Sequence, residues 1–235
     1  MSFTIWTPLA VSSEASSWQG KVWRMVEAQH IASTMKIVDT LAEQDVLESL
    51  LESSKPKCPD ATLNLDYLLA TPFRYNPLRD GSRFRSIIDP GVFYGAGSER
   101  TAAAELGFWR WRFLKDSVEL KQLEPVAHTA FNADISTSAV DLRQPPFDTQ
   151  QSVWRNPIDY SGTQAFARIV RQANVGGILY QSVRDPGEGS CLALLTPAGF
   201  AKPKPLRQQT WFLAVSQDGV IWRDNRSRDY AFTFG

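Results

Sequence analysis

A chain of 235 residues with 43% apolar content is long enough to bury a sizeable core and is not a disordered polymer. Its 25 Lys plus Arg balance 25 Asp plus Glu, so no net field recruits nucleic acid or an anionic membrane, and any partner must be recognised locally. The two cysteines, Cys58 and Cys191, lie far apart without metal-ligand or redox spacing; they make no disulfide scaffold and fit a reducing cytoplasm.

The first twenty residues, MSFTIWTPLAVSSEASSWQG, lack a basic head and a continuous apolar run, so they do not read as a signal peptide. They are expected to form an extension, 1–20, to a single domain over 21–235. From Lys21, KVWRMVEA reads as a strand with Arg24 between apolar neighbours. Either its head reaches water from a sheet edge, or it binds an anion in a cleft. Ile31, Met35, Val38 and Leu41, then Val46, Leu47, Leu50 and Leu51, recur at helical spacing and predict two amphipathic helices with a structural role. Pro56 and Pro59 make 55–60 a loop, and the whole reads as a helical insertion at about 30–70.

The stretch from Thr71 to Phe113 carries the chemistry. Gly81-Ser82-Arg83-Phe84-Arg85 is expected to pass from loop into strand, with Arg83 and Arg85 alternating so that only one faces a cleft. Pro90-Gly91 marks a turn before the strand Val92-Phe93-Tyr94, and Ser98 is a good N-cap for a helix starting at Glu99. On that helix Ala102, Leu106, Trp109 and Phe113 form one stripe, expected to be buried, and Glu105 leaves the helix about 40° round from Trp109, at the rim of that face.

The second half is richer in strand. Glu124–Ile135 reads as one strand, 144–157 as a Pro-rich loop, and Gly162–Ala173 as a helix with Phe166, Ile169 and Val170 inward. Ile178–Arg184 and 191–195 form a hairpin, and 210–215, 220–222 and 230–234 add short strands. The class is α+β.

Several active sites are absent. There is no Walker A motif, and Gly95-Ala96-Gly97 lacks a third glycine because Arg100 stands in its place, so no dinucleotide fingerprint of the Rossmann type is present. His30 and His128 have no cysteine or carboxylate at ligand spacing and read as ordinary satisfied side chains; no metal is expected. No nucleophile elbow frames a serine. What remains is Arg83, Tyr94 and Glu105 in one stretch, a set that suits a cationic transition state. When the bond between nicotinamide and ribose in NAD+ breaks, positive charge develops on the sugar, and a fixed carboxylate stabilises it. A tyrosine offers a ring face to nicotinamide, and arginine forks match a pyrophosphate. The structural alternatives are an exposed Glu105 paired with Arg112, a core Tyr94, and a Ser182 hydroxyl bonded to backbone.

Taken together, GSRFR, PGVFYGA, TAAAE and YQSVR resemble the RES domain found in toxins of bacterial toxin–antitoxin systems, over Lys21 to about Pro197. The resemblance implies a split β-sheet core similar to that of ADP-ribosyltransferases, with NAD+ as substrate and no metal. By its motifs the loop arginine corresponds to Arg83, the strand tyrosine to Tyr94, the helix glutamate to Glu105, and the serine that holds the carboxylate or the ribose to Ser182. The first-strand arginine corresponds to Arg24, with Arg74 in Pro72-Phe73-Arg74-Tyr75 competing for that role. The implied activity is mono-ADP-ribosylation of a cellular protein, with a nucleotide-biosynthesis enzyme such as ribose-phosphate pyrophosphokinase as one acceptor it allows. Glycohydrolysis or phosphorolysis of NAD+ is the enzymatic alternative, and a non-catalytic nucleotide-binding module the alternative from another class. The implied partner is a cognate antitoxin that occupies the cleft.

Overall fold

The computed structural model describes residues 6–28, 37–75 and 81–235. His30, Ile31 and Met35, with the start of the expected helical insertion, lie outside the described residues. In chain order the elements are α1 (Pro8–Ser13), β1 (Ser16–Glu27), α2 (Leu41–Ser54), α3 (Tyr67–Arg74), β2 (Phe93–Ala96), α4 (Glu99–Asp116), β3 (Gln122–Asp141), α5 (Gln151–Trp154), α6 (Ser161–Gln172), β4 (Gly177–Gln181), β5 (Ser190–Leu194), β6 (Arg207–Ser216), β7 (Gly219–Asp224) and β8 (Asp229–Phe232).

The long strand β3 organises the sheet. One edge pairs antiparallel with β1 from Ser16↔Ala139 to Glu27↔His128. The other edge divides. Its first part pairs antiparallel with β6, which leads on to β7 and β8. Its last residues, Ala139 to Asp141, pair in parallel with β4, which forms a hairpin with β5. β5 then pairs with β2, and β2 returns to β1 at the single register Trp23↔Ala96. The sheet is therefore split, as the family resemblance implied, and a cleft opens where β1 and β2 part. The long strand β3 belongs to both halves.

α4 covers one face. It buries Ala103, Ala104, Gly107, Trp111 and Leu114, whereas Trp109 and Phe113 stay about half exposed (49% and 55%), which corrects the expected buried stripe. The cause is the strand surface beneath: Trp211 and Trp222 already fill it, so the helix must present small residues. A Cβ at Gly107 would come within 2.9 Å of Val220 Cγ2, and Trp222 Nε1 donates to the Ala103 carbonyl at 3.1 Å. On the opposite face Leu68 and Leu69 of α3 pack with Phe93, Phe131 and Leu192.

Three further expectations change. In α2 a capping box between Thr40 and Glu43 starts the helix, yet Leu41, Val46, Leu50 and Leu51 are exposed and the buried residue is Gln44, so the helix does not build the core. Residues 81–89 form no strand; Ser82 and Arg85 close a tight turn, and both Arg83 and Arg85 are buried. The Pro-rich loop contains a 3-10 turn, Phe147–Gln150, running into α5. Among the described residues no helix is long and apolar enough to cross a membrane.

Candidate active site

Ser98 accepts the Thr101 amide at 3.1 Å and starts α4. About two turns beyond that cap, Glu105 reaches a cleft of about 390 Å³ between α4, β1, β2 and the turn at 81–85. The Ser182 hydroxyl donates to Glu105 Oε1 at 2.5 Å. The same Oγ accepts the amides of Arg184 (3.1 Å) and Asp185 (2.9 Å), so its lone pairs are engaged and its proton is directed at the carboxylate. Asp185 pins this turn to the start of α4 through the Thr101 hydroxyl at 2.8 Å and an ion pair with Arg100.

Burial pushes the Glu105 carboxyl above the usual carboxylate range, and the Ser182 hydrogen bond and the charges of Arg83 and Arg184 only partly oppose it. Cys191 Sγ lies 3.9 Å from the same Oε1, and burial raises its thiol far above the ordinary value. That thiol is not a nucleophile at neutral pH.

Tyr94 is held by its hydroxyl, which shares a 2.7 Å hydrogen bond with Ser82 Oγ and accepts the Phe84 amide at 3.0 Å. Burial raises its phenol, so it stays neutral. The turn that carries Ser82 and Phe84 also carries Arg83, whose Nη1 donates to the carbonyls of Trp154 and Asn156, both at 2.9 Å. Arg24 donates from Nη1 to the Tyr94 carbonyl at 2.9 Å and lies 5.2 Å from the Phe93 ring centre. Burial lowers its pKa to about 10, so it remains charged at neutral pH, and its buried Nε has no hydrogen-bond partner among the described residues.

The cleft thus brings together Arg24, Arg83, Tyr94 and Glu105, with Ser182 behind the carboxylate. Arg74 does not join them. At the end of α3 it pairs with Glu52 at 2.7 Å and donates to the Pro56 carbonyl at 2.6 Å, a position fixed by the contact between α2 and α3. Of the two competing arginines, Arg24 lines the cleft. Arg85 is spent on the carbonyls of Asp89 and Tyr75.

The sequence reading did not single out Tyr160, Tyr180, Cys191 or Arg184, all of which line the cleft. Arg184 closes the YQSVR motif and was open to recognition there, whereas nothing in the pattern around Tyr160 marks it. His128 lies apart, its Nδ1 donating to the Val126 carbonyl at 2.9 Å while its buried Nε2 has no partner among the described residues, so there it is only half satisfied. Among the described residues no group of three or more His, Cys, Asp or Glu could hold a metal.

The family model described as the RES domain matches residues 58–216. The chain belongs to the RES-domain family. Arg83, Tyr94, Glu105 and Ser182 fall inside the matched stretch of this RES-domain protein, and Arg24 falls before it. The fold is similar to that in the crystal structure of the M. tuberculosis MbcT–MbcA toxin–antitoxin complex, at 13% identity and a TM-score of 0.48, covering 93% of this chain and 87% of that chain. No curated protein matches the chain.

Proposed function

We propose that this RES-domain protein is the toxin of a toxin–antitoxin pair and that it consumes NAD+, transferring ADP-ribose to a side chain of a cellular protein. The observation that carries the reading is the Glu105 carboxylate, held by the Ser182 hydroxyl at 2.5 Å in a cleft whose other charges are guanidinium groups. As neutral nicotinamide leaves, the positive charge of its pyridinium nitrogen passes to the ribose carbon, and a buried negative charge fixed beside that carbon stabilises it there more than on the departing ring. Low dielectric strengthens that attraction, and Ser182 removes the need for the carboxylate to reorient.

The residues fit a dinucleotide in other respects. The cleft volume is in the range of small-molecule sites, roughly 300–1,000 Å³. The Tyr94 ring lines the wall beside Glu105, where a pyridine ring can pack on it. Arg24 keeps a buried Nε, a donor with no protein acceptor among the described residues, which a ligand oxygen would satisfy. The protein acceptor and a cognate antitoxin would both enter through the mouth, where the half-exposed Trp109 stands one turn beyond Glu105.

Incubating the purified protein with labelled NAD+ and a cell lysate tests the reading. Label on a discrete protein band is the expected outcome. Free ADP-ribose or its phosphate ester with no labelled band replaces transfer with hydrolysis or phosphorolysis, and intact NAD+ overturns the assignment.

A further inference from the structure

Most arginines on the surface of the fold are matched by a carboxylate: Arg100 by Asp185, Arg110 by Glu27, Arg143 by Asp141 and Arg228 by Asp224. Arg83 and Arg184 form no ion pair among the described residues, although both line the cleft. A cation drawn out of water without a counter-charge is costly unless carbonyl dipoles or a ligand compensate. Here one segment, residues 154–164, supplies the dipoles for both.

Arg83 Nη1 spends its two N–H bonds on the carbonyls of Trp154 and Asn156. Arg184 Nη2 donates to the Pro157 carbonyl and, at 3.2 Å, to the Tyr160 hydroxyl. Tyr160 also places its ring 4.7 Å from the Arg83 guanidinium carbon, so one side chain touches both cations, by its face and by its hydroxyl. From the far side, the Phe108 ring of α4 stacks on Arg184 at 3.6 Å. The backbone of Arg83 is tied to α6 as well: the buried Thr163 hydroxyl donates to the Arg83 carbonyl, and Gln164 Nε2 donates to the Ser82 carbonyl at 3.0 Å. After these bonds the side-on fork of Arg83, Nε with Nη2, has no protein acceptor among the described residues. Neither has Arg184 Nη1.

We infer that Arg184 and Arg83 together form a subsite for a diphosphate group, and that Tyr160 is the positioning residue that sets the spacing of the two guanidinium groups. Two fixed cations match the two negative charges of a diphosphate ester, and the free fork of Arg83 matches a pair of phosphoryl oxygens. The ring and hydroxyl of Tyr160 keep the like charges from being repelled apart or turned outward. Arg184 is thus a ligand-binding residue, brought to the cleft by the same turn that directs Ser182 onto Glu105. That the diphosphate belongs to NAD+ rests on the function proposed above; the subsite itself rests on the geometry.

Calorimetric titration of inorganic pyrophosphate into the full chain separates the two. The unsubstituted protein binds pyrophosphate, Arg184→Ala weakens binding by about tenfold or more, and Tyr160→Phe, which keeps the ring under Arg83 and deletes the hydroxyl, weakens it by about three- to tenfold. Arg184→Lys keeps the charge without the fork and lies between, and Arg112→Ala, on the exposed face of α4, changes nothing. In turnover, Tyr160→Phe raises KM for NAD+ with kcat close to that of the unsubstituted protein. If Arg184→Ala does not fold, Arg184→Lys and Tyr160→Phe carry the test. No binding of pyrophosphate, or equal binding by the parent and the Arg184 variants, overturns the subsite. Pyrophosphate binding that depends on Arg184 in a protein that leaves NAD+ intact keeps the subsite and removes the proposed function.

Discussion

Ser182→Ala is the sharpest probe of how the carboxylate is held. The substitution removes the hydroxyl that donates to Glu105 Oε1 at 2.5 Å and the acceptor of the Arg184 and Asp185 amides at 3.1 and 2.9 Å. A hydrogen bond to a charged group contributes about 1.5–3 kcal/mol, which corresponds to a loss of roughly 10- to 150-fold in the rate of NAD+ cleavage at neutral pH. Leaving two amides of a buried turn without an acceptor costs a further 1–3 kcal/mol or so in stability, softened by the grip of Thr101 and Arg100 on Asp185. The Ser182 bond is also what lowers the Glu105 pKa against burial, so its loss moves the acid limb of the pH–rate profile to higher pH. The assay is initial rate of nicotinamide release across pH, with thermal unfolding alongside. A variant that unfolds at a lower temperature but keeps the parent's rate and acid limb would refute the claim that Ser182 orients the carboxylate.

Other substitutions probe the rest of the cleft. Because the folded-state pKa of Glu105 is raised, its contribution to stability is complete below the unfolded value and is lost as pH rises through the folded value, so Glu105→Gln is expected to raise the melting temperature at pH 7 relative to the parent, and a lowered one counts against its burial. Tyr94→Phe keeps the ring and orphans the Phe84 amide, with a loss of about 1–3 kcal/mol in chemical denaturation and a raised KM for NAD+ from a looser 82–85 turn. Arg74→Ala leaves KM and kcat unchanged, since Arg74 serves the contact between α2 and α3; a tenfold rise in KM would return it to the site.

Part of the fold and of the cleft is legible in the sequence. The two strands after Gly176 follow from short continuous apolar runs bounded by turn residues, and Ser98 opens α4 because a serine there satisfies a first-turn amide. Glu105 and Ser182 could be placed from their motifs, although residues 77 apart were not visibly bonded to each other. The orientation of α4 was illegible for a different reason. Which face of a helix is buried depends on the strand residues it meets, and Trp211 and Trp222 arrive from over a hundred residues away, nearly filling the surface on which Ala103, Ala104 and Gly107 then fit. The GSRFR motif marks Arg83, but its alternation suggests a strand, whereas the Ser82–Arg85 turn is fixed by Thr163 and Gln164 of a distant helix. Tyr160 gave no local signal at all, since its role exists only where two loops meet.

The most direct measurement is release of nicotinamide from NAD+ by the purified chain, compared with its Glu105→Gln variant under conditions where both are folded. The account predicts steady release by the parent and a loss of at least about a hundredfold in the variant, which keeps the shape of the side chain and removes its charge. Equal release by the two proteins, or none by the parent, contradicts it.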